Sequence, residues 1–273
     1  MIFSHHLEFF FIPATIPEFS GTLGAVFFGA VFIAGISLGS FIHTAALRLN
    51  RSVDFIFTPS SCQYCNRPLS WRQNLPLIGY LHHYGKCRLC NARISPLYFW
   101  TELVMGGFCL MIAFLYPLPV ALAWIGGGSL MLLCGLTDLD RMILHLPVML
   151  LLGAAGCVLS LFSFWPVTLI GALLGMILMI LGLSAINMLY RFWRGMDGFG
   201  EGDIWLLGAV GCWLGPFSAM MVFITASMLG AITGLILIRT GRGNASTALP
   251  FASFVSLVFI CWPIINLLLI VYV

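Results

Sequence analysis

Long apolar runs, separated by short polar stretches, set the pattern of this chain. Eight can be drawn, at residues 22–47, 97–116, 118–137, 146–164, 166–190, 203–217, 218–238 and 251–271. A helix needs about 20 apolar residues to cross a bilayer. The sixth run is short for that, and a flanking glycine-rich turn or local bilayer thinning would complete it. The pattern predicts an all-α polytopic membrane protein with about eight transmembrane helices. Residues 48–96 form the one sizeable polar segment. The chain therefore divides into an N-terminal segment and first helix (1–47), a polar insert (48–96) and a seven-helix membrane domain (97–273).

Composition agrees: of 273 residues 61% are hydrophobic and 8% charged, against about 25% charged in a soluble domain. No basic stripe is interleaved with exposed aromatics, which excludes a nucleic-acid partner. The lipid membrane is the expected one. The first residues, MIFSHHLEFFFIPATIPEFSG, have no positive n-region and carry Glu8 and Glu18. They do not read as a cleaved signal peptide.

Charge placement sets the orientation. Seven of the twelve Lys and Arg residues lie between the first two helices: Arg48, Arg51, Arg67, Arg72, Lys86, Arg88 and Arg93. Arg141 follows the third helix, Arg191 and Arg194 the fifth, and Arg239 and Arg242 the seventh. With both termini outside, all twelve fall on one side, which the positive-inside rule makes cytoplasmic. A wrong helix count would scatter them.

The insert contains SCQYCNRPLS and KCRLCNARIS, an internal repeat of the form C-x-x-C-N-x-x-[LI]-S. Cys62, Cys65, Cys87 and Cys90 have the spacing of a tetrahedral zinc site. Asn66 and Asn91 follow each pair, and Asn tolerates the left-handed conformation such turns require. A reducing cytoplasm disfavours disulfides. Four thiolates close the site, so zinc there is structural. His82 and His83 also lie in the insert, but the cysteines complete a set of four. The other five cysteines, and His43 in the first helix, read as buried packing or satisfied polar residues.

Asp138 and Asp140 stand in GLTDLDRMIL, where the third helix reaches the cytoplasm, and Asp203 stands where the sixth begins. Topology puts them at one membrane depth on one side. A carboxylate there is costly unless paired, solvated or functional. Two facing carboxylates can share a proton. One then activates water and the other polarises a carbonyl and protonates the leaving amine. That is metal-free peptide hydrolysis. In GFGEGD, Gly198, Gly200 and Gly202 leave the backbone open for an extended substrate strand just before Asp203. Taken alone, the stretch reads rather as a flexible loop with a helix-capping aspartate. Asp197 and Glu201 read as solvated loop charges, and Glu102 is left open between buried partner and interface residue.

Together the residues resemble the type IV prepilin peptidase family, the bifunctional leader peptidases and N-methyltransferases of type IV pilus and type II secretion systems. The resemblance spans nearly the whole chain. It rests on GSF (39–41), the two C-x-x-C pairs, NLPLIGYL (74–81), GKCRLCNARIS (85–95), DLDRMIL (138–144), GFGEGD (198–203) and ALPFASF (248–254). It implies a membrane aspartic endopeptidase of GxGD type in the bacterial inner membrane, with Asp138 and Asp203 as the catalytic pair. Asp140 matches a position that can be Lys in related preflagellin peptidases. The implied substrates are prepilins or pseudopilins, cut on the cytoplasmic side after the glycine that ends a cationic leader. The new N-terminus is then methylated with S-adenosylmethionine as donor.

The chain departs from the family pattern at several motif positions. Leu144, His145 and Leu146 replace its Leu-Pro-Asp, and Trp205 replaces a Lys. His43 stands for Asn, and Leu97 and Phe99 stand for Arg and Pro. No glycine-rich nucleotide fingerprint is present, so methyl transfer rests on resemblance. Two rival functions use the same residues. In an ion- or proton-coupled transporter Asp138 and Asp203 would form a relay, although no inverted repeat is evident. In a non-catalytic scaffold the zinc insert would bind partners.

Overall fold

The computed structural model describes residues 21–53, 60–62, 64–65, 67–70, 73–195, 197–244 and 247–271, with side chains as far as 266. The first twenty residues, and with them the expected reading of the N-terminus, lie outside the described residues, as do Asn66 and Arg72. The described residues form helices α1 (Thr22–Leu49), α2 (Ile78–His82), α3 (Pro96–Leu115), α4 (Leu118–Arg141), α5 (Leu146–Leu159), α6 (Leu169–Arg194), α7 (Glu201–Arg239) and α8 (Phe251–Val271). Isolated bridges join Ser61 to Pro68 and Lys86 to Arg93. The all-α reading holds. Five helices, α1, α3, α4, α6 and α7, are long and apolar enough to cross a membrane, while α5 and the Phe251–Asn266 part of α8 are apolar but shorter.

Local chemistry sets the helix ends. Ser95 accepts a hydrogen bond from the Leu97 amide at 3.3 Å, ahead of Pro96 in the first turn of α3. Thr168 does the same for Gly171 at the start of α6, and Gly195, at φ 74°, ends it in the left-handed conformation that favours glycine.

The expected sixth and seventh segments arrive as the 39 residues of α7, broken at Gly215 (φ 74°, ψ 177°) ahead of Pro216. Glycine accepts that backbone angle, and the proline removes the amide that would continue the helix. The chain folds back at this point. The Phe199 ring lies 5.8 Å from that of Phe223, whereas a straight helix would carry them about 36 Å apart.

The chain forms two compact units, Met1–Ile125 and Gly126–Val273, with the division inside α4. In the first, α1 packs on α3 through small residues. A methyl group on Gly35 would sit 2.9 Å from the Gly106 Cα, and one on Gly39 would sit 2.8 Å from the Thr101 carbonyl oxygen. Such contacts bring backbones together where lipid supplies no hydrophobic drive. The insert is tied to α3 by Glu102, whose carboxylate accepts the Leu77 amide at 2.7 Å.

In the second unit α6 and α7 cross at Gly175 and Gly211, where a Cβ on Gly211 would lie 2.5 Å from the Gly175 carbonyl carbon. Trp213 is buried at the centre of this unit. Its indole donates to the Leu152 carbonyl of α5 at 2.6 Å, and its ring covers Gly127 of α4 and meets Phe259 of α8 at 5.9 Å. Trp165 in turn donates to the Trp213 carbonyl at 3.2 Å. The indole donors thus have partners where water is excluded.

Candidate active site

Asp138 occupies the last turn of α4, one turn beyond Gly135. Residues two apart on a helix project about 200° apart. Asp138 therefore faces inward and is 6% exposed, while Asp140 faces out, 3.9 Å from Arg141. The buried carboxylate is held by the start of α8. Ser253 donates its amide at 3.1 Å and its hydroxyl at 3.3 Å to Oδ2 of Asp138. The same hydroxyl lies 2.8 Å from the Gly135 carbonyl oxygen. A side chain on Gly135 would meet Ser256 at 2.9 Å, so the glycine lets α8 approach.

Asp203 stands in the first turn of α7, whose N-cap is Gly200, and its amide donates to the Gly200 carbonyl at 3.1 Å. The two carboxyl groups lie near enough for the charge of Asp138 to bear on Asp203. Their two motifs also pack together, because a Cβ on Gly202 would lie 3.0 Å from Leu144. None of Gly198, Gly200 and Gly202 adopts a positive φ. What they supply is space: Gly198 lies against the Tyr190 ring, Gly202 against Leu144, and Gly200 beside the Asp203 carboxylate.

The loop leading to Asp203 is fastened to α6. Oδ1 of Asn187 accepts the amides of Gly198 at 2.7 Å and Phe199 at 3.1 Å. Its Nδ2 donates to Asp197 at 3.4 Å, and Arg191 Nε donates to the same Asp197 oxygen at 2.6 Å. Asp197 is thus paired rather than simply solvated, while Glu201 is exposed as expected. Neither Asn187 nor Ser253 carries a sequence signal of its own role. Ser253 was within reach only as part of ALPFASF.

In the first unit the four cysteines of the repeat converge, their sulfurs all within 4.8 Å of one another. Cys62 and Cys90 are 3.8 Å apart, the separation that a tetrahedral site with Zn–S bonds of about 2.3 Å requires. The two knuckles repeat one another in hydrogen bonding. Cys62 donates its amide to the Arg67 carbonyl at 3.0 Å, and Cys87 donates its own to Ala92 at 2.9 Å. Asn91 has the left-handed φ of 55° that its residue type tolerates. All four thiols are free of disulfides. Backbone amides of Cys90 and Leu89 point at the Cys87 sulfur and bring its thiol down to about 7, towards the thiolate a metal binds. The donor set and spacing fit a thiophilic metal ion. His82 and His83 stand outside this cysteine group, their rings 4.9 Å apart. His43 is buried, hydrogen-bonded to Thr101 at 3.0 Å, with its ring 3.8 Å from that of Tyr98 and tilted by 32°.

Residues 33–116 match the model of the bacterial peptidase A24 N-terminal domain, and residues 125–235 that of the type IV leader peptidase family. A curated protein of Klebsiella pneumoniae, named prepilin leader peptidase/N-methyltransferase, is 32% identical over 223 residues, covering 78% of this chain and 96% of its own. The chain belongs to the type IV leader peptidase family. A relative of the same name from Bacillus subtilis is 30% identical over 234 residues, 81% of this chain and 88% of its own. No solved structure matches the chain. The two family matches divide between residues 116 and 125, close to the division of the structure into two units. Asp138 and Asp203 both lie in the leader peptidase match, and the four cysteines lie in the N-terminal one.

Proposed function

We propose that the chain is a membrane aspartic endopeptidase that removes the leader of prepilins or pseudopilins and then methylates the new N-terminus. The observation that carries the peptidase reading is that α4 and α7 bring Asp138 and Asp203 near enough for one charge to bear on the other. Two like charges at short range do not both ionise readily, so the pair holds one proton between them. The ionised member takes a proton from the attacking water. The protonated member hydrogen-bonds the scissile carbonyl and then delivers its proton to the leaving amine. Ser253 holds the Asp138 carboxylate in place with two hydrogen bonds. Gly200 leaves the approach to Asp203 free of side chain. Transport offers no such account of the open glycine backbone at one carboxylate.

The placement of the twelve cationic residues puts both aspartates on the cytoplasmic side of the inner membrane. A cationic leader stays there while the apolar stretch after it enters the bilayer, which brings the bond after the leader's glycine to the depth of the pair. The four cysteines hold a structural zinc that fixes the two knuckles. S-adenosylmethionine supplies the methyl group when bound. A cavity of about 670 Å3 in the first unit, lined by Ser40, Arg48, Asn74, Tyr98 and Glu102 among others, has the size of a small-molecule site and offers both charges for a zwitterionic donor.

The test uses purified full-length protein in detergent, a prepilin-like peptide and methyl-labelled S-adenosylmethionine. Cleavage after glycine followed by label on the new N-terminus supports both steps. Cleavage without label removes the methyl-transfer step alone, and no cleavage removes the peptidase reading.

A further inference from the structure

We infer that Asn187 is a positioning residue for Asp203: it fixes the loop from which the catalytic helix starts. The inference rests on the peptidase reading of the aspartate pair. Residues 197–200 include two glycines and no long apolar side chain except Phe199, so the loop has little to anchor itself. Asn187 supplies the anchor. Its single carbonyl oxygen takes two successive amides, those of Gly198 and Phe199, at 2.7 and 3.1 Å. The amide nitrogen of the same side chain, with Arg191 one turn on, holds Asp197. The exposed Arg191–Asp197 pair contributes little by itself, whereas the two backbone bonds fix the path of the chain.

That path ends at Gly200, the N-cap of α7, three residues before Asp203. It also sets the Phe199 ring 5.8 Å from those of Phe223 and Phe251. Phe251 opens α8, the helix whose Ser253 holds Asp138. One side chain on α6 thus fastens a loop that ends at one aspartate and packs on the helix that secures the other.

Asn187 does not act on the reacting atoms. It lines a pocket of about 290 Å3 with Glu201, Ile204 and Trp205. On a helix Glu201 and Trp205 project roughly opposite to residue 203, and Ile204 about 100° from it. The clasp therefore holds the loop ahead of α7 and reaches Asp203 through the backbone. A displacement of the carboxylate by about 1 Å is enough to cost on the order of a hundredfold in rate.

The experiment compares kcat, KM and thermal unfolding of the full-length wild type, Asn187→Ala and the double variant Asn187→Asp/Asp197→Asn on a prepilin-like peptide. Asn187→Ala removes the acceptor, and kcat is expected to fall at least tenfold with KM changed less than threefold. Asn187→Asp keeps an oxygen for both amides, and Asp197→Asn turns the contact between the two side chains back into a hydrogen bond, so the double variant is expected to recover kcat to within about threefold of wild type. If Asn187→Ala does not fold, Asn187→Ser, whose oxygen is too short to reach both amides, takes its place with the same expected loss. A wild-type kcat in the variant lacking the acceptor overturns the inference. So does a loss that the double variant fails to recover and that follows the fall in melting temperature. A wild-type protein that cleaves nothing overturns the peptidase reading itself, and the inference with it.

Discussion

Ser253 binds one oxygen of Asp138 twice, through its amide at 3.1 Å and its hydroxyl at 3.3 Å, across 115 residues of chain. The first turn of α8 thereby fixes the carboxylate at the end of α4. Ser253→Ala removes the hydroxyl and leaves the amide. With a hydrogen bond to a carboxylate worth on the order of 1.5–3 kcal/mol, and half of the grip retained, kcat on a prepilin peptide is expected to fall about tenfold. The unfolding temperature in detergent should move little. Unchanged kcat would mean that the amide alone positions Asp138.

The metal makes a separate prediction. Cys87→Ser removes one of four sulfurs that converge within 4.8 Å. Metal analysis of the purified variant should show most of the zinc gone, against about one zinc per wild-type chain. Cleavage should fall indirectly, because a structural metal contributes folding free energy to the segment that binds it. Wild-type protein without zinc and with full activity would remove the metal from the account.

Much of this architecture was legible in the residues. The apolar runs located the helices, and the 25-residue repeat of C-x-x-C-N, local in sequence, announced two equivalent knuckles that the structure builds with matching hydrogen bonds. The helical period explains why Asp138 is buried and Asp140 exposed. Other features had no local signal. Ser253 meets Asp138 only after α4 to α8 have packed. Glu102, left open by the sequence, turns out to hold a backbone amide 25 residues earlier, in a loop with no periodicity. Asn187 lies in an apolar helix, and its partners are backbone groups, which sequence does not distinguish. The break in α7 was expected near residues 217–218, from run length. It falls at Gly215, because the positive φ needs the glycine itself.

The orientation can be checked in intact cells with a membrane-impermeant maleimide. The proposed orientation has Arg242 in the cytoplasm and the loop near Tyr116 on the opposite side. A cysteine at Pro117→Cys should label without permeabilisation, and one at Arg242→Cys only after it. The reverse pattern would place the aspartates on the outer side and separate them from a cytoplasmic leader.

The most direct test of the central claim is the single-turnover rate of cleavage after glycine in wild type, Asp138→Asn, Asp203→Asn and the double variant. Each single change keeps the shape of the side chain and removes a carboxyl group from the pair. Each should lower the rate at least a thousandfold with folded protein still recovered, while exposed Asp140→Asn should remain within about tenfold of wild type. The double variant should be no slower than either single one, because the two groups act as a unit. Cleavage by Asp203→Asn at near the wild-type rate would contradict the aspartic mechanism.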